Sequence, residues 1–196
     1  MSQCAPSPTL LDASRFRLTH VTTAAELRVA AALRERVFRE RRQLCFDEVM
    51  EARRDRTGYV FLLQEQGVPI AVGRVLPYPS PLSTLVDLSR EAGARRADSE
   101  IGRVACLASS QTPRSALRFL TLGSFWLLEH TRLRRYVAYC QPRLVPLYRA
   151  LGATPCAEVR VPGRSEPYCI INGSYQEAAE RGARRLGLER AQGAGR

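Results

Sequence analysis

The stretch EIGRVACLASS, residues 100–110, decides how the rest of the chain is read. Ile101, Val104, Ala105, Cys106 and Leu107 make an apolar run of the kind that forms a buried strand, yet Glu100 and Arg103 lie inside it. In a regular strand, residues three apart face opposite sides, so the sheet would separate the two charges. One extra residue, a bulge, changes that parity and gathers both onto one side. Gly102 is where a bulge costs least, and bulges concentrate beside active sites. A strand over 99–108, kinked at its centre and carrying a half-buried ionic cluster, is therefore expected.

Working outward, "SALRFLTLGSFWLLEHTRLRR" (115–135) is a long helix with an apolar middle that must pack on a sheet, with Thr112 as its cap and Pro113 at its first position. A strand "RYVAYC" (135–140), a helix "PRLVPLYRALG" (142–152) ended by Gly152, and strands "AEVRVP" (157–162) and "PYCIING" (167–173) follow. On the other side, "RFRLTHV" (15–21) reads as a short strand, and Thr23 with Glu26 forms a capping box opening a helix to about Arg42. Leu27, Ala30, Ala31, Arg34 and Phe38 share one stripe of that helix, so Arg34 points with the apolar residues; Arg36, Arg39 and Arg42 share another face. "YVFLLQE" (59–65) and "IAVGRVL" (70–76) flank the turn signal "QGVP" as a hairpin. The segment "LSTLVDLSREAGA" (82–94) is a short helix or irregular crossover. The order predicts an α/β fold, a mixed central β-sheet with helices on both faces. Residues 1–14 are expected to be a disordered segment, 15–175 the domain, and 176–196 a helical or frayed basic tail.

The 196 residues suit one domain, and 45% apolar with 25% charged residues is a soluble globular composition. No run approaches the roughly 18–20 apolar residues of a membrane span, and the N-terminus lacks the pattern of a signal peptide, so a cytoplasmic location is expected. Net charge is +11, with all 30 basic residues arginine, which suits nucleic acid, an anionic membrane or an acidic carrier protein. Nucleic acid is disfavoured because the aromatics sit in apolar runs rather than among the basic residues. The six cysteines are scattered and there are two histidines, so no metal site and no disulfide framework is expected. Cys106, Cys140 and Cys169 read as small buried hydrophobes.

Three pieces, "LRERVF" with Arg34 and Phe38, "VGRVLP" with Arg74, and "SEIGRVACL" with Glu100 and Arg103, resemble in order and separation the GNAT-type N-acyltransferases. Within that superfamily the resemblance, over about residues 25–175, is to acyl-homoserine-lactone autoinducer synthases and long-chain N-acyl amino acid synthases. It implies the GNAT-like acyl-CoA N-acyltransferase fold with a bulged, splayed central strand, followed by a helix whose N-terminus receives phosphate. A fourth piece, "PLYRALGA", places Tyr148 where many members carry the acid that protonates the departing thiolate; Tyr148 equally fits the buried face of its helix with Leu144, Leu147 and Leu151. The superfamily phosphate loop appears as Gln111-Thr-Pro-Arg114-Ser115-Ala116, with Arg114 replacing a glycine, which favours a carrier-protein donor with one phosphodiester over coenzyme A. Lactone synthases also carry an acidic cluster before the second strand and a tryptophan after the first helix. This chain has only Glu51 and Asp55, at altered spacing, and Leu44 or Cys45, which favours an acceptor other than S-adenosylmethionine.

On this resemblance Glu100 is the expected base, acting through water on an amine of pKa near ~8. Backbone N–H groups around Val104, Ala105, Cys106 and Leu107 would polarise the thioester carbonyl. Gln111, Arg114 and Ser115 would meet the donor's phosphate, and Arg34, Phe38, Asp55, Arg74 and Arg103 the acceptor. The same arginines could simply tie the first helix to the sheet. No permanent cofactor is implied; acyl carrier protein or coenzyme A brings the acyl group, and the acceptor is a small amine or amino acid. An autoinducer synthase and a non-catalytic basic binding module are the other readings.

Overall fold

The computed structural model describes residues 15–40, 47–80, 97–107, 112–160 and 167–188. The expectations for residues 1–14, Arg42, Leu44, Cys45, the segment 82–94 and Gln111 lie outside these residues, as does the capping role of the Thr112 side chain. Seven strands form one sheet: β1 (Phe16–His20), β2 (Tyr59–Glu65), β3 (Val68–Pro77), β4 (Ser99–Cys106), β5 (Arg135–Cys140), β6 (Thr154–Val159) and β7 (Tyr168–Ser174), in the order β1-β2-β3-β4-β5-β7-β6. Only β4 and β5 run parallel; every other neighbour is antiparallel. The hairpin turn between β2 and β3 is Gln66-Gly67, both at positive φ (50° and 81°), the backbone that a two-residue hairpin loop demands.

Helices cover both faces. On one lie α1 (Ala24–Glu35), which opens with the expected capping box, a π-helical turn Arg36–Glu40, and α2 (Glu48–Thr57). The first helix was expected to run regularly to Arg42; instead it widens at Arg36, and the wider turn brings the consecutive Val37 and Phe38 both into the cluster with Val60, Leu62, Val72 and Ala105. On the other face lie α3 (Thr112–His130), α4 (Val145–Ala150) after a 3₁₀ turn at Pro142–Leu144, and α5 (Tyr175–Leu186). Strand alternation does the sorting: Phe61, Leu63, Ala71, Val75 and Ile101 point to α3, while Val60, Leu62 and Val72 point to α1.

The expected helical or frayed tail is, as far as Leu186, part of a helix that begins at Tyr175 and docks on α3, with Tyr175, Ala178, Ala179, Gly182 and Leu186 buried. Its contact face is small, which lets the two helices approach closely. A Cβ on Gly182 would collide with Thr121 Oγ1, and that hydroxyl is itself held by a 2.7 Å bond to the Leu117 carbonyl. Gly182→Ala is accordingly expected to lower stability by about 1–3 kcal/mol, read from urea denaturation, through overpacking rather than helix propensity; an unchanged midpoint would show that the helices separate freely.

Among the described residues, no helix is long and apolar enough to cross a membrane. Both histidines meet Trp126, His130 stacked on it at 4.5 Å and His20 tilted at 38° with centroids 4.4 Å apart. Cys140 and Cys169 are register partners across β5 and β7, and burial, with Cys169 beside it, pushes the Cys140 thiol up to about 12, so it stays protonated.

Candidate active site

The kink in β4 lies one residue beyond Gly102. Val72 pairs with Ala105 and Arg74 with Gly102, so Gly73 alone faces both Arg103 and Val104. Arg103 takes the strain, at φ 56°, a left-handed backbone that arginine adopts at a cost of order 1 kcal/mol or more. Parity shifts as the bulge requires. Glu100 pairs with Leu76 and Gly102 with Arg74, on the α1 face; Val104 packs on the α3 side; and Arg103 joins Glu100 on the α1 face, its guanidinium 5.4 Å from the Phe38 ring. A Cβ on Gly102 would touch Glu100 Oε1 at 3.3 Å, so the glycine keeps the strip between the two charges clear.

Three predicted arginines converge on an acidic pair: Arg34 and Arg74 meet both Glu51 and Asp55, and Arg103 meets Glu51. Arg34 Nη1 meets Asp55 Oδ2 at 2.9 Å and Glu51 Oε2 at 3.5 Å; Arg74 Nη1 meets Asp55 Oδ1 at 2.8 Å and Glu51 Oε2 at 3.0 Å. Arg103 Nε meets Glu51 Oε1 at 3.0 Å, where Arg54 also arrives at 3.4 Å. Glu51 is thus the hub, contacted by four guanidinium groups. It and Asp55 lie four apart on α2, one turn above each other, on that helix's buried face. The helix itself starts at Asp47, whose Oδ1 accepts the Met50 N–H at 2.9 Å. The arginines divide by exposure: the Arg34 and Arg74 side chains are 0% and 2% exposed, those of Arg54 and Arg103 21% and 24%.

Pairing of β4 with β5 stops at Ile101 and Ala138, after which the two parallel strands part. Of the four backbone N–H groups expected to face a thioester, that of Leu107 does not: it donates to the Ile70 carbonyl at 2.9 Å, completing the β3 ladder. Because successive N–H groups alternate along a strand, the one before it, on Cys106, turns toward the fork. Arg114 is exposed and Ser115 buried in the first turn of α3, with Pro113 where its missing N–H costs nothing. Tyr148 is buried beneath α3 in the cluster with Phe119, Leu120, Ala138 and Cys140, across the sheet from Glu100. In the stripe of exposed arginines, Arg39 is engaged by Glu35 at 3.3 Å and Glu48 at 3.2 Å.

Sequence reasoning missed two tyrosines on the Glu100 face. Tyr78 and Tyr139 both pack against Val137 and Ile170. Burial, then the Glu100 and Asp98 carboxylates, raise the Tyr78 phenol well above its ordinary value. Tyr139 is raised by burial, with Arg103 acting against and Glu100 with that shift. Neither was legible because only strand register places them near Glu100, β3 on β4 for Tyr78 and β4 on β5 for Tyr139.

A mixed seven-stranded sheet with a bulged central strand, parallel strands that part beside it and helices on both faces is the GNAT-type N-acyltransferase fold. Three solved structures share this fold. FeeM, an N-acyl amino acid synthase from uncultured soil microbes, superposes with a TM-score of 0.68 at 15% identity over 85% of this chain and 94% of its own. MesI, a CoA-dependent acyl-homoserine lactone synthase, gives 0.60 at 17% identity over 86% and 92%. An acyl-CoA N-acyltransferase from Pseudomonas aeruginosa gives 0.56 at 18% identity over 80% and 97%. No protein-family model and no curated protein sequence matches the chain.

Proposed function

We propose that the chain is an N-acyltransferase that moves an acyl group, a fatty one on this reading, from a coenzyme A or acyl-carrier-protein thioester to an amine such as an amino acid's α-amino group. The observation that carries this is the bulge that sets Glu100 and Arg103 on one face beside the β4–β5 fork. The amine nitrogen attacks the thioester carbonyl carbon, a C–N bond forms, its proton passes through water to Glu100, and the C–S bond breaks. The Cys106 N–H, turned toward the fork, meets the developing oxyanion, an interaction worth roughly 3–4 kcal/mol of barrier.

The exposure gradient assigns different work to the arginines. Arg34 and Arg74, sealed against Glu51 and Asp55, brace α1 and α2 on the sheet, while Arg103, held over Phe38 with its side chain partly exposed, receives the acceptor's carboxylate. Counting Arg34, Arg54, Arg74 and Arg103 against Glu51, Asp55 and Glu100 leaves the site net positive, which suits an anionic acceptor. At the start of α3, Arg114 and the first-turn N–H groups suit the phosphodiester of a carrier-protein prosthetic group. On this reading the thioester itself brings the acyl group, the chain works in the cytoplasm, and the transfer takes no permanent cofactor.

A matrix of acyl donors, on coenzyme A and on acyl carrier protein, against amino acids, simple amines and S-adenosylmethionine, read by mass spectrometry, tests the reading. N-acyl amino acids are the expected product. Acyl-homoserine lactones formed with S-adenosylmethionine would make the chain an autoinducer synthase instead, and no transfer with any pair, together with salt-sensitive DNA binding, would make it a binding module.

A further inference from the structure

Resting on the acyltransfer reading, we propose that Tyr139 is the group that protonates the departing thiolate. The last β4–β5 pair is Ile101 with Ala138, so Tyr139 is the first residue of β5 past the fork. Glu100 pairs with Val137, and Tyr139 stands two residues on, so all three side chains share a face. Tyr139 therefore lies on the fork wall, on the face where the bulge has placed both Glu100 and Arg103. Tyr148, by contrast, is enclosed among Phe119, Leu120 and Cys140 on the α3 side.

The ring is fixed, and its hydroxyl is not committed. Tyr139 rests against Tyr168, with ring centroids 5.5 Å apart at 58°, and is half-buried against Val137 and Ile170. Among the described residues its hydroxyl takes no hydrogen-bond partner, unlike that of Tyr175, which meets Ser99 Oγ at 2.8 Å. Burial holds the phenol above its ordinary value, so it carries its proton at neutral pH; Arg103 acts in the opposite direction and stabilises the phenolate once the proton has gone. The proton count closes. The amine loses a proton to Glu100 as the C–N bond forms; the thiolate takes one from Tyr139 as the C–S bond breaks; and Glu100 returns its proton to the phenolate through water. Amine and thioester become amide and thiol, with both residues restored.

An acid that assists a leaving group matters less when the group leaves readily as the anion, and this separates a chemical role from a packing one. Tyr139→Phe keeps the ring against Tyr168, and its kcat is to be measured with an acyl-CoA and with the matching S-phenyl thioester. The expected result is a loss of about a hundredfold with acyl-CoA and under about threefold with the aryl thioester. Because the two values come from one preparation, their ratio is insensitive to any misfolded fraction. Equal losses on both esters, or no loss with acyl-CoA, would overturn the assignment, as would the same ester-dependent pattern in Tyr148→Phe with Tyr139→Phe unaffected. A wild-type chain that acylates no amine from either ester fails at the earlier reading, and the role of Tyr139 falls with it.

Discussion

Glu100→Gln is expected to cut turnover by about a hundred- to ten-thousandfold while leaving the fold as stable as the wild type, the range that loss of a positioned general base produces. The substitution keeps the side chain's volume beside Gly102 and Leu76, so packing on the α1 face is retained. What it removes is the negative charge and the ability to take a proton from the amine. The measurement is steady-state turnover at several values of pH, with the acceptor saturating. Raising the pH should recover part of the lost rate, because an amine of pKa near ~8 deprotonates in solution without the carboxylate's help. Turnover equal to wild type at pH 7 would remove Glu100 as base. A fall in thermal midpoint matching the fall in activity would make it a structural carboxylate, one that holds β4 against β5 rather than acting on substrate.

The kink in β4 was legible because two charges three apart cannot share a face of a regular buried strand; its position was off by one. Glycine tolerance pointed to Gly102, but the glycine that matters for the count is across the ladder, at Gly73, where a Cβ would strike the Phe119 ring at 2.8 Å. That close approach is a tertiary fact with no local signature. Arg34 was legible for a related reason, an arginine at helical spacing among apolar residues. The helix that neutralises it was not. α2 buries two acids and presents Val49 and Met50 to solvent, so its hydrophobic pattern reads as no helix at all. The surviving cue was the N-capping Asp47 four residues before Glu51. For α5 the helical face, Tyr175, Ala178, Ala179, Gly182 and Leu186 at spacings of three and four, was readable; what the sequence hid was how closely its alanine and glycine positions pack on α3. In each case the hidden feature is a contact that works by charge or by closeness, whereas hydrophobic periodicity reports only bulky apolar burial.

Asp55→Ala is expected to destabilise the fold by about 3–5 kcal/mol, because it strips the shortest ion pair from two arginines that solvent cannot reach. Arg34 would keep only the 3.5 Å contact to Glu51, and Arg74 the 3.0 Å one, so Glu51 alone would have to neutralise both as well as Arg103 and Arg54. Arg34 has nothing in reserve: its Nε and Nη2 atoms are buried without hydrogen-bond partners, so the loss at Nη1 is not made up elsewhere. For a domain of this size the change corresponds to a fall in thermal midpoint of roughly 10 °C. The cost arises from an unpaired buried charge rather than from the intrinsic worth of the pair, which fixes a second expectation. Arg34→Met combined with Asp55→Leu, which removes charge on both sides at similar volume, should be more stable than Asp55→Ala alone. Activity should separate from stability in the same pair. The double variant still has Glu51 to hold Arg103 over Phe38, so it should keep more turnover than a Glu51→Ala variant of equal stability. If Asp55→Ala unfolds within about 1 kcal/mol of wild type, the cluster is wetter than its geometry implies, and the division between bracing and binding arginines fails with it.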